Sequence, residues 1–159
     1  MKSVLISIHP KWCALIASGK KTIEVRKTAP KLPPPFKCYI YCTSVKSMNL
    51  QDYVAVHQAT GGAVDDWSGK VIGEFVCDLI GFHPGTDVPS SCVPIEELKK
   101  YANGKMLVRW HISDVKIYDK PKEVGEFRHC GENYHFNPVV TKPPQSWCYV
   151  DDYETEKKQ

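Results

Sequence analysis

Residues 18–27 read SGKKTIEVRK, and this segment guides the interpretation of the rest of the chain. It contains four cations and one carboxylate around a short alternation of Ile23 and Val25. The alternation predicts a β-strand in which Glu24 and Arg26 share the face opposite these apolar residues. A strand with this much charge either lies at an exposed edge or lines a site. A phosphate-bearing ligand would suit such a site.

A short amphipathic helix is predicted immediately before this strand. Pro10 suits the first helical position, and Trp12, Leu15 and Ile16 follow at the spacing of a buried helical face. Gly19 suits the position just after the helix. The GKKT sequence is not a phosphate-binding loop, because that motif needs a second glycine five positions earlier and opens a helix, whereas Gly19 ends one.

Apolar periodicity predicts further strands with short helices between them. Strands are expected at 3–8, 36–43, 70–80, 106–118 and 146–150, and helices near 50–57 and 94–101. Residues 65–69 are predicted to form a turn, and 119–144 a long loop with one helical turn near 123–127. This pattern predicts the α+β class: a small mixed β-barrel flanked by short helices, with one domain at 1–150 and a polar tail at 151–159.

Composition is typical of a water-soluble globular protein. The 159 residues are 42% hydrophobic and 25% charged, which suits one domain with a real core. Seven cysteines, mostly in apolar contexts, favour a reducing compartment. The first apolar run is too short for a signal peptide and no segment is long enough to span a membrane, so we expect a cytoplasmic protein without membrane contact.

Charge is distributed unevenly along the chain. Residues 1–46 hold nine Lys or Arg against one acid, whereas residues 47–101 hold three Lys against eight acids. A basic first third favours an anionic partner such as RNA or a nucleotide. The alternative is that acidic segments neutralise it in the folded protein.

Several blocks together resemble a known family. Residues 8–12 (IHPKW) and 17–27 (ASGKKTIEVRK) resemble the signature of ASCH domains, members of the PUA-like superfamily. Residues 71–75 (VIGEF), 110–113 (WHIS) and 143–150 (PPQSWCYV) look like later blocks of the phage and prophage type of ASCH protein. The resemblance implies a small β-barrel with a cleft between barrel and helices, and a role in binding RNA or a modified nucleoside.

The resemblance also raises the question of catalysis. One branch hydrolyses N4-acetylcytidine with a Lys and a nucleophilic Thr in this block and a Glu elsewhere; that Lys corresponds to Lys21. The position of the nucleophile is Glu24 here, and Thr22 stands at the wrong offset to replace it. Another branch cleaves RNA. Three classes therefore stay open: a binding module, a hydrolase acting on RNA or a modified nucleoside, and a regulatory protein acting through protein contacts.

Three residues are candidates for catalysis: Lys21, Glu24 and Glu74. Glu24 could hold a cation in place or accept a proton, and Glu74 could meet Lys21 or Arg26 across the barrel mouth. The guanidinium of Arg26 could bind a phosphate in a forked geometry, with Lys21 as a point charge beside it. The alternative is a solvated strand face with an ordinary ion pair.

A wider set of side chains is predicted to bind RNA or a nucleotide-like anion. Its members are Lys11, Lys20, Lys21, Arg26, Tyr41, His111 and Trp147. Trp147 could stack on a base, although core packing is the favoured role, and His111 could hydrogen-bond a ligand or satisfy a polar edge.

No metal or other cofactor is expected. Cys38 and Cys42 share a strand face, and His129, Cys130 and His135 form a loose cluster. Neither group has the paired spacing of a structural zinc site.

Overall fold

The computed structural model describes residues 2–134 and 138–153, which form one mixed sheet with helices packed on it. The strands are β1 (Lys2–Ile8), β2 (Ile23–Arg26), β3 (Phe36–Cys42), β4 (Lys70–His83), β5 (Leu107–Lys122) and β6 (Trp147–Asp151), and the helices are α1 (Pro10–Ala17), α2 (Leu50–Ala59), α3 (Ala63–Trp67) and α4 (Ile95–Ala102). Short 3₁₀ turns lie at Val45–Ser47, Pro89–Ser91, Val124–Glu126 and Glu132–Tyr134. The predicted α+β class is confirmed.

The six strands lie in the order β2-β5-β4-β3-β1-β6. β1 and β3 are parallel, and every other neighbouring pair is antiparallel. β2 and β6 form the two ends of this order and do not pair with each other through the backbone. The sheet is therefore not closed, and the predicted barrel is not confirmed.

Side-chain hydrogen bonds connect the β2 edge of the sheet to the region of β1 and β6, where no backbone hydrogen bonds join β2 to β6. The Nη2 atom of Arg26, at the end of β2, donates to the Ser7 carbonyl over 2.6 Å, and its Nη1 atom donates to Ser146 Oγ over 3.2 Å. The indole nitrogen of Trp147 donates to Thr28 Oγ1 over 3.0 Å. The four residues of β2 are too few for a long ladder, so side chains connect the edges.

The core lies on both faces of the central strands. Val4 and Ile6 of β1 pack into a cluster that includes Cys13 and Ile16 of α1, whereas Leu5 packs into a second cluster. This two-sided burial explains why Val4, Leu5 and Ile6 are consecutive apolar residues and why β1 is buried from Ser3 to Ile8. A third, smaller cluster places α4 against β2 and β5; its buried members are Val25, Val88, Leu98, Ala102 and Leu107.

Three local predictions were wrong. Residues 65–69 were expected to be a turn, but α3 runs through Trp67 because left-handed Gly62 (φ +86°) starts a new helix whose Val64 and Trp67 are buried. β4 continues beyond residue 80 to His83, and β5 continues beyond 118 to Lys122. These extensions carry mainly half-buried or exposed residues, so apolar alternation does not mark them.

The C-terminal segment is integrated into the fold up to Tyr153. Asp151 pairs with Lys2, and the Tyr39 hydroxyl donates to Asp152 Oδ1 over 3.0 Å. The Tyr153 amide donates to the same hydroxyl over 3.0 Å. The rest of the predicted polar tail, residues 154–159, lies outside the described residues. Within the described ranges, no helix is long and apolar enough to cross a membrane.

Candidate functional site

A cleft of about 310 Å³ lies between α1, β2 and α4. This volume is within the usual range for small-molecule sites. Its lining includes His9 and Trp12 at α1, Glu24 and Arg26 on β2, and Glu97 and Tyr101 on α4.

Lys21 lies behind the floor of this cleft and is 1% exposed. Its Nζ atom donates to the Ser91 carbonyl over 2.6 Å and lies 3.9 Å from Glu24 Oε2. Burial lowers the pKa of Lys21, and the Glu24 carboxylate opposes that effect. Because Lys21 is enclosed, it supplies positive charge from behind and does not line the cleft.

Glu24 forms the floor. It is 6% exposed, and its Oε1 atom lies 3.4 Å from Arg26 Nε. Its Oε2 atom is buried and has no hydrogen-bond partner. A buried oxygen without a donor is costly, so a ligand that brings an N–H or O–H group to this point would be stabilised.

Arg26 connects the floor to the opposite edge of the sheet. Alternation along β2 places its side chain on the same face as Glu24. Its Nη atoms donate to Ser7 and Ser146, while Nε faces the carboxylate. The guanidinium is therefore largely engaged within the protein.

His9 and Trp12 form the wall on the α1 side. His9 is the N-cap of α1, and its Nδ1 atom accepts a hydrogen bond from the Lys11 amide over 3.2 Å. That bond assigns the ring proton to Nε2, and burial is the main cause that lowers the pKa of His9. The Nζ atom of Lys11 lies 5.0 Å from the centre of the Trp12 ring.

Tyr101 and Glu97 form the opposite wall, one helical turn apart on α4. The Nζ atom of Lys27 lies 4.7 Å from the centre of the Tyr101 ring. Glu97 is exposed and also borders the cleft.

Of the six side chains described above, four were not among the predicted site residues: His9, Trp12, Glu97 and Tyr101. Trp12 was expected only in the core. The sequence pattern places these residues in or next to the predicted helices. It does not predict that α4 packs beside β2, because that packing depends on long-range contacts.

The structure brings some predicted residues together here. Lys21, Glu24 and Arg26 form one cluster, and Lys11 lies against the Trp12 wall. Lys20 is exposed between α1 and β2.

Glu74 is not part of this cluster. Its Oε2 atom accepts from the Tyr118 hydroxyl over 2.7 Å, and its Oε1 atom lies 3.5 Å from Lys37 Nζ. Glu74 on β4 pairs with Lys116 of β5, whereas Glu24 on β2 pairs with Trp110 of β5. Since β5 separates β4 from β2, the two carboxylates lie at different places on the sheet.

Tyr41, His111 and Trp147 also lie outside the cleft lining. Tyr41 packs against the second core cluster, and burial raises its pKa. The Nδ1 atom of His111 lies 2.5 Å from Asp78 Oδ1, and strand alternation places His111 on the face opposite Trp110. Trp147 packs edge-to-face on Trp110 with ring centres 5.9 Å apart.

Among residues 2–134 and 138–153, no group of three or more His, Cys, Asp or Glu side chains is placed to hold a metal ion. His129 stacks on Tyr134 at 4.3 Å between ring centres, and His135 lies outside the described residues.

The comparison with known families agrees with this architecture. A sequence model of the ASCH domain matches residues 6–156. The chain belongs to the ASCH domain family. No curated protein matches the sequence.

Two crystal structures show the same ASCH fold. ASCH from Zymomonas mobilis is 18% identical, with a TM-score of 0.59, and the alignment covers 98% of this chain and 92% of that one. A mutant form of ZmASCH from the same organism is 18% identical, with a TM-score of 0.63 and coverage of 98% and 93%. At this identity the likeness concerns the fold alone.

Proposed function

We propose that this ASCH domain protein binds RNA, or a nucleotide-like part of it, in the cleft between α1, β2 and α4. The observation that carries the proposal is the buried cluster of Lys21, Glu24 and Arg26 at the cleft, in which Glu24 Oε2 has no hydrogen-bond partner. Clustered buried charges beside a cleft are typical of binding and catalytic sites. We further propose a cytoplasmic protein of the phage or prophage type, supported by its composition and its later sequence blocks.

The proposal divides the ligand between two regions of the site. The base enters the cleft, where Trp12 and Tyr101 supply aromatic walls. The phosphates contact cations at the rim, because Lys21 and Arg26 are engaged inside the protein. Lys11 and Lys27 approach those two aromatic rings, and Lys20 is exposed nearby.

The first prediction concerns these rim cations. Each of Lys11→Ala and Lys27→Ala should weaken binding of a labelled single-stranded RNA several-fold. Each should also reduce the slope of log affinity against log salt by about 0.7, because one phosphate contact is lost. Fluorescence anisotropy over a series of salt concentrations measures both quantities.

Lys120→Ala is the matched control, because Lys120 is exposed toward the far end of β5 from the residues that pair with β2. It should leave affinity and slope unchanged. If all three variants reduced RNA affinity equally, the cleft would not be the binding site. Absence of RNA and nucleotide binding in the wild type would favour a regulatory protein acting through protein contacts.

Hydrolysis is a second candidate, favoured by the same Glu24 oxygen, because a carboxylate oxygen without a hydrogen-bond partner is available as a proton acceptor. Glu24 would then act as a general base, since the nucleophilic Thr of one related branch is absent. Turnover of N4-acetylcytidine or RNA by the wild type, and its loss in Glu24→Gln, would support catalysis. Binding without turnover of either substrate would leave the binding module alone.

A further inference from the structure

We infer that Glu24 selects bases that carry an exocyclic amino group, with cytosine and adenine favoured over their oxo counterparts uracil and hypoxanthine. This inference rests on the proposed function and specifies the ligand class of the same cleft. The inference is based on the Oε2 atom of Glu24, which has no hydrogen-bond partner in the protein.

The floor offers an acceptor. Glu24 borders the cleft, its side chain is 8% exposed, and its Oε2 atom has no hydrogen-bond partner. A carboxylate accepts hydrogen bonds and donates none, so this position suits an N–H group of the ligand.

The two cations beside Glu24 make their short hydrogen bonds to other groups. Lys21 Nζ donates to the Ser91 carbonyl over 2.6 Å, and both Nη atoms of Arg26 donate to Ser7 and Ser146. A keto oxygen placed against Glu24 would therefore bring a second acceptor toward the carboxylate. An amino group at the same corner of the base would supply the missing hydrogen bond.

Discrimination by one such contact is substantial, because the wrong base leaves the carboxylate oxygen unpaired and brings a second acceptor against it. Carboxylates commonly accept from the amino group of cytosine when proteins read bases. We therefore expect at least about a tenfold preference for the amino base.

Two pairs of 5′-monophosphates test this by isothermal titration calorimetry. Cytidine is compared with uridine, and adenosine with inosine, so that ring size is constant within each pair. The amino member should bind about tenfold tighter in at least one pair. Glu24→Gln, whose carboxamide can present an N–H, should reduce that ratio to near one or reverse it.

A second measurement uses only the wild-type protein, in case Glu24→Gln does not fold. N4-Methylcytidine 5′-monophosphate keeps one N–H and should retain binding, whereas the N4,N4-dimethyl compound has none and should lose about tenfold. Equal binding within both base pairs, or an unchanged ratio in a folded Glu24→Gln, would overturn the inference while leaving the proposed function intact. No binding of any nucleotide would overturn both.

Discussion

Several charged or polar side chains of this protein are buried, including Lys21, Glu24 and His83. Lys21 and Glu24 are both nearly excluded from water, yet they lie only three positions apart. Their separation of 3.9 Å and the bond from Lys21 to Ser91 compensate only part of the cost of desolvation. Removing one partner should therefore be more damaging than removing an exposed charge.

Lys21→Met keeps most of the side-chain volume but removes the charge and the donor. We expect it to lower the free energy of unfolding by roughly 3 kcal/mol, because the Ser91 carbonyl loses its donor and Glu24 loses one of its two cations. Chemical denaturation measures this loss. Lys20→Met changes the exposed neighbour and should cost no more than about 0.5 kcal/mol. Equal losses in the two variants would show that burial of Lys21 contributes little.

His83 is a second buried polar residue, 5% exposed. Its Nδ1 atom accepts from the Gly85 amide over 3.2 Å, and its Nε2 atom is buried without a partner. Burial, followed by the nearby positive charge of Arg109, lowers the pKa of His83. As the pH falls below the ordinary histidine value of 6.5, the unfolded chain therefore takes up this proton before the folded protein does.

Stability should consequently fall as the pH is lowered from about 6.5, until the folded-state pKa is passed. His83→Asn keeps an acceptor for the Gly85 amide but cannot be protonated in this range, so part of the fall should disappear. Denaturation midpoints over a series of pH values measure this. A fall of the same size in His83→Asn would assign the acid sensitivity to other groups, of which His9 and His129 also have lowered pKa values.

At the level of elements, the end of α1 determines which lysine is buried. Gly19 adopts a left-handed conformation with φ +82°, which a glycine accepts without strain. The amides of Lys20 and Lys21 then both donate to the Leu15 carbonyl, over 3.0 and 3.1 Å. This turn leaves Lys20 exposed and buries Lys21, so the helix terminus positions the charge beneath the cleft.

The long strands β4 and β5 approach closely at one glycine. A Cβ atom on Gly73 would lie 2.3 Å from the Lys116 carbonyl oxygen and 3.0 Å from Ile117 Cα, both of which are backbone atoms. Gly73→Ala should therefore lower the free energy of unfolding by roughly 3 kcal/mol, because the strands must separate.

Gly81→Ala on the same strand is the control for this substitution. Its Cβ would meet only the end of the Arg109 side chain, at 3.2 Å, and that side chain can move. We expect a change within about 1 kcal/mol in the same denaturation experiment. Comparable losses at both glycines would contradict the steric explanation.

At the level of the whole molecule, the C-terminal segment joins distant parts of the chain. Asp152 and Tyr153 both bond the hydroxyl of Tyr39 on β3, and the Tyr153 ring packs on Phe127 with ring centres 5.2 Å apart. The domain boundary predicted at residue 150 would remove these contacts.

Two truncations test that boundary. A chain ending at Val150 should be less stable than one ending at Tyr153 by about 1–3 kcal/mol, because it loses the hydrogen bonds of residues 151–153 and the packing of Tyr153 on Phe127. Thermal and chemical denaturation of the two chains give the difference. Equal stabilities would support the shorter domain.

Local features of this protein could be predicted from its sequence. Alternating apolar residues marked the strands, Pro10 and Gly19 marked the ends of α1, and the ASCH signature identified the family. The sequence also predicted that Lys21, Glu24 and Arg26 would act together, since i, i+3 and i+5 spacing across a helix–strand junction is a local property.

The contacts of those charges depend on the tertiary structure. The burial of Lys21, the engagement of Arg26 by Ser7 and Ser146, and the separation of Glu74 all follow from which distant strands become neighbours. The open sheet and the α4 wall of the cleft arise from the same long-range packing. Periodicity reports which face of an element is buried but not which element covers it, so the unpaired oxygen of Glu24 became visible only in the folded protein.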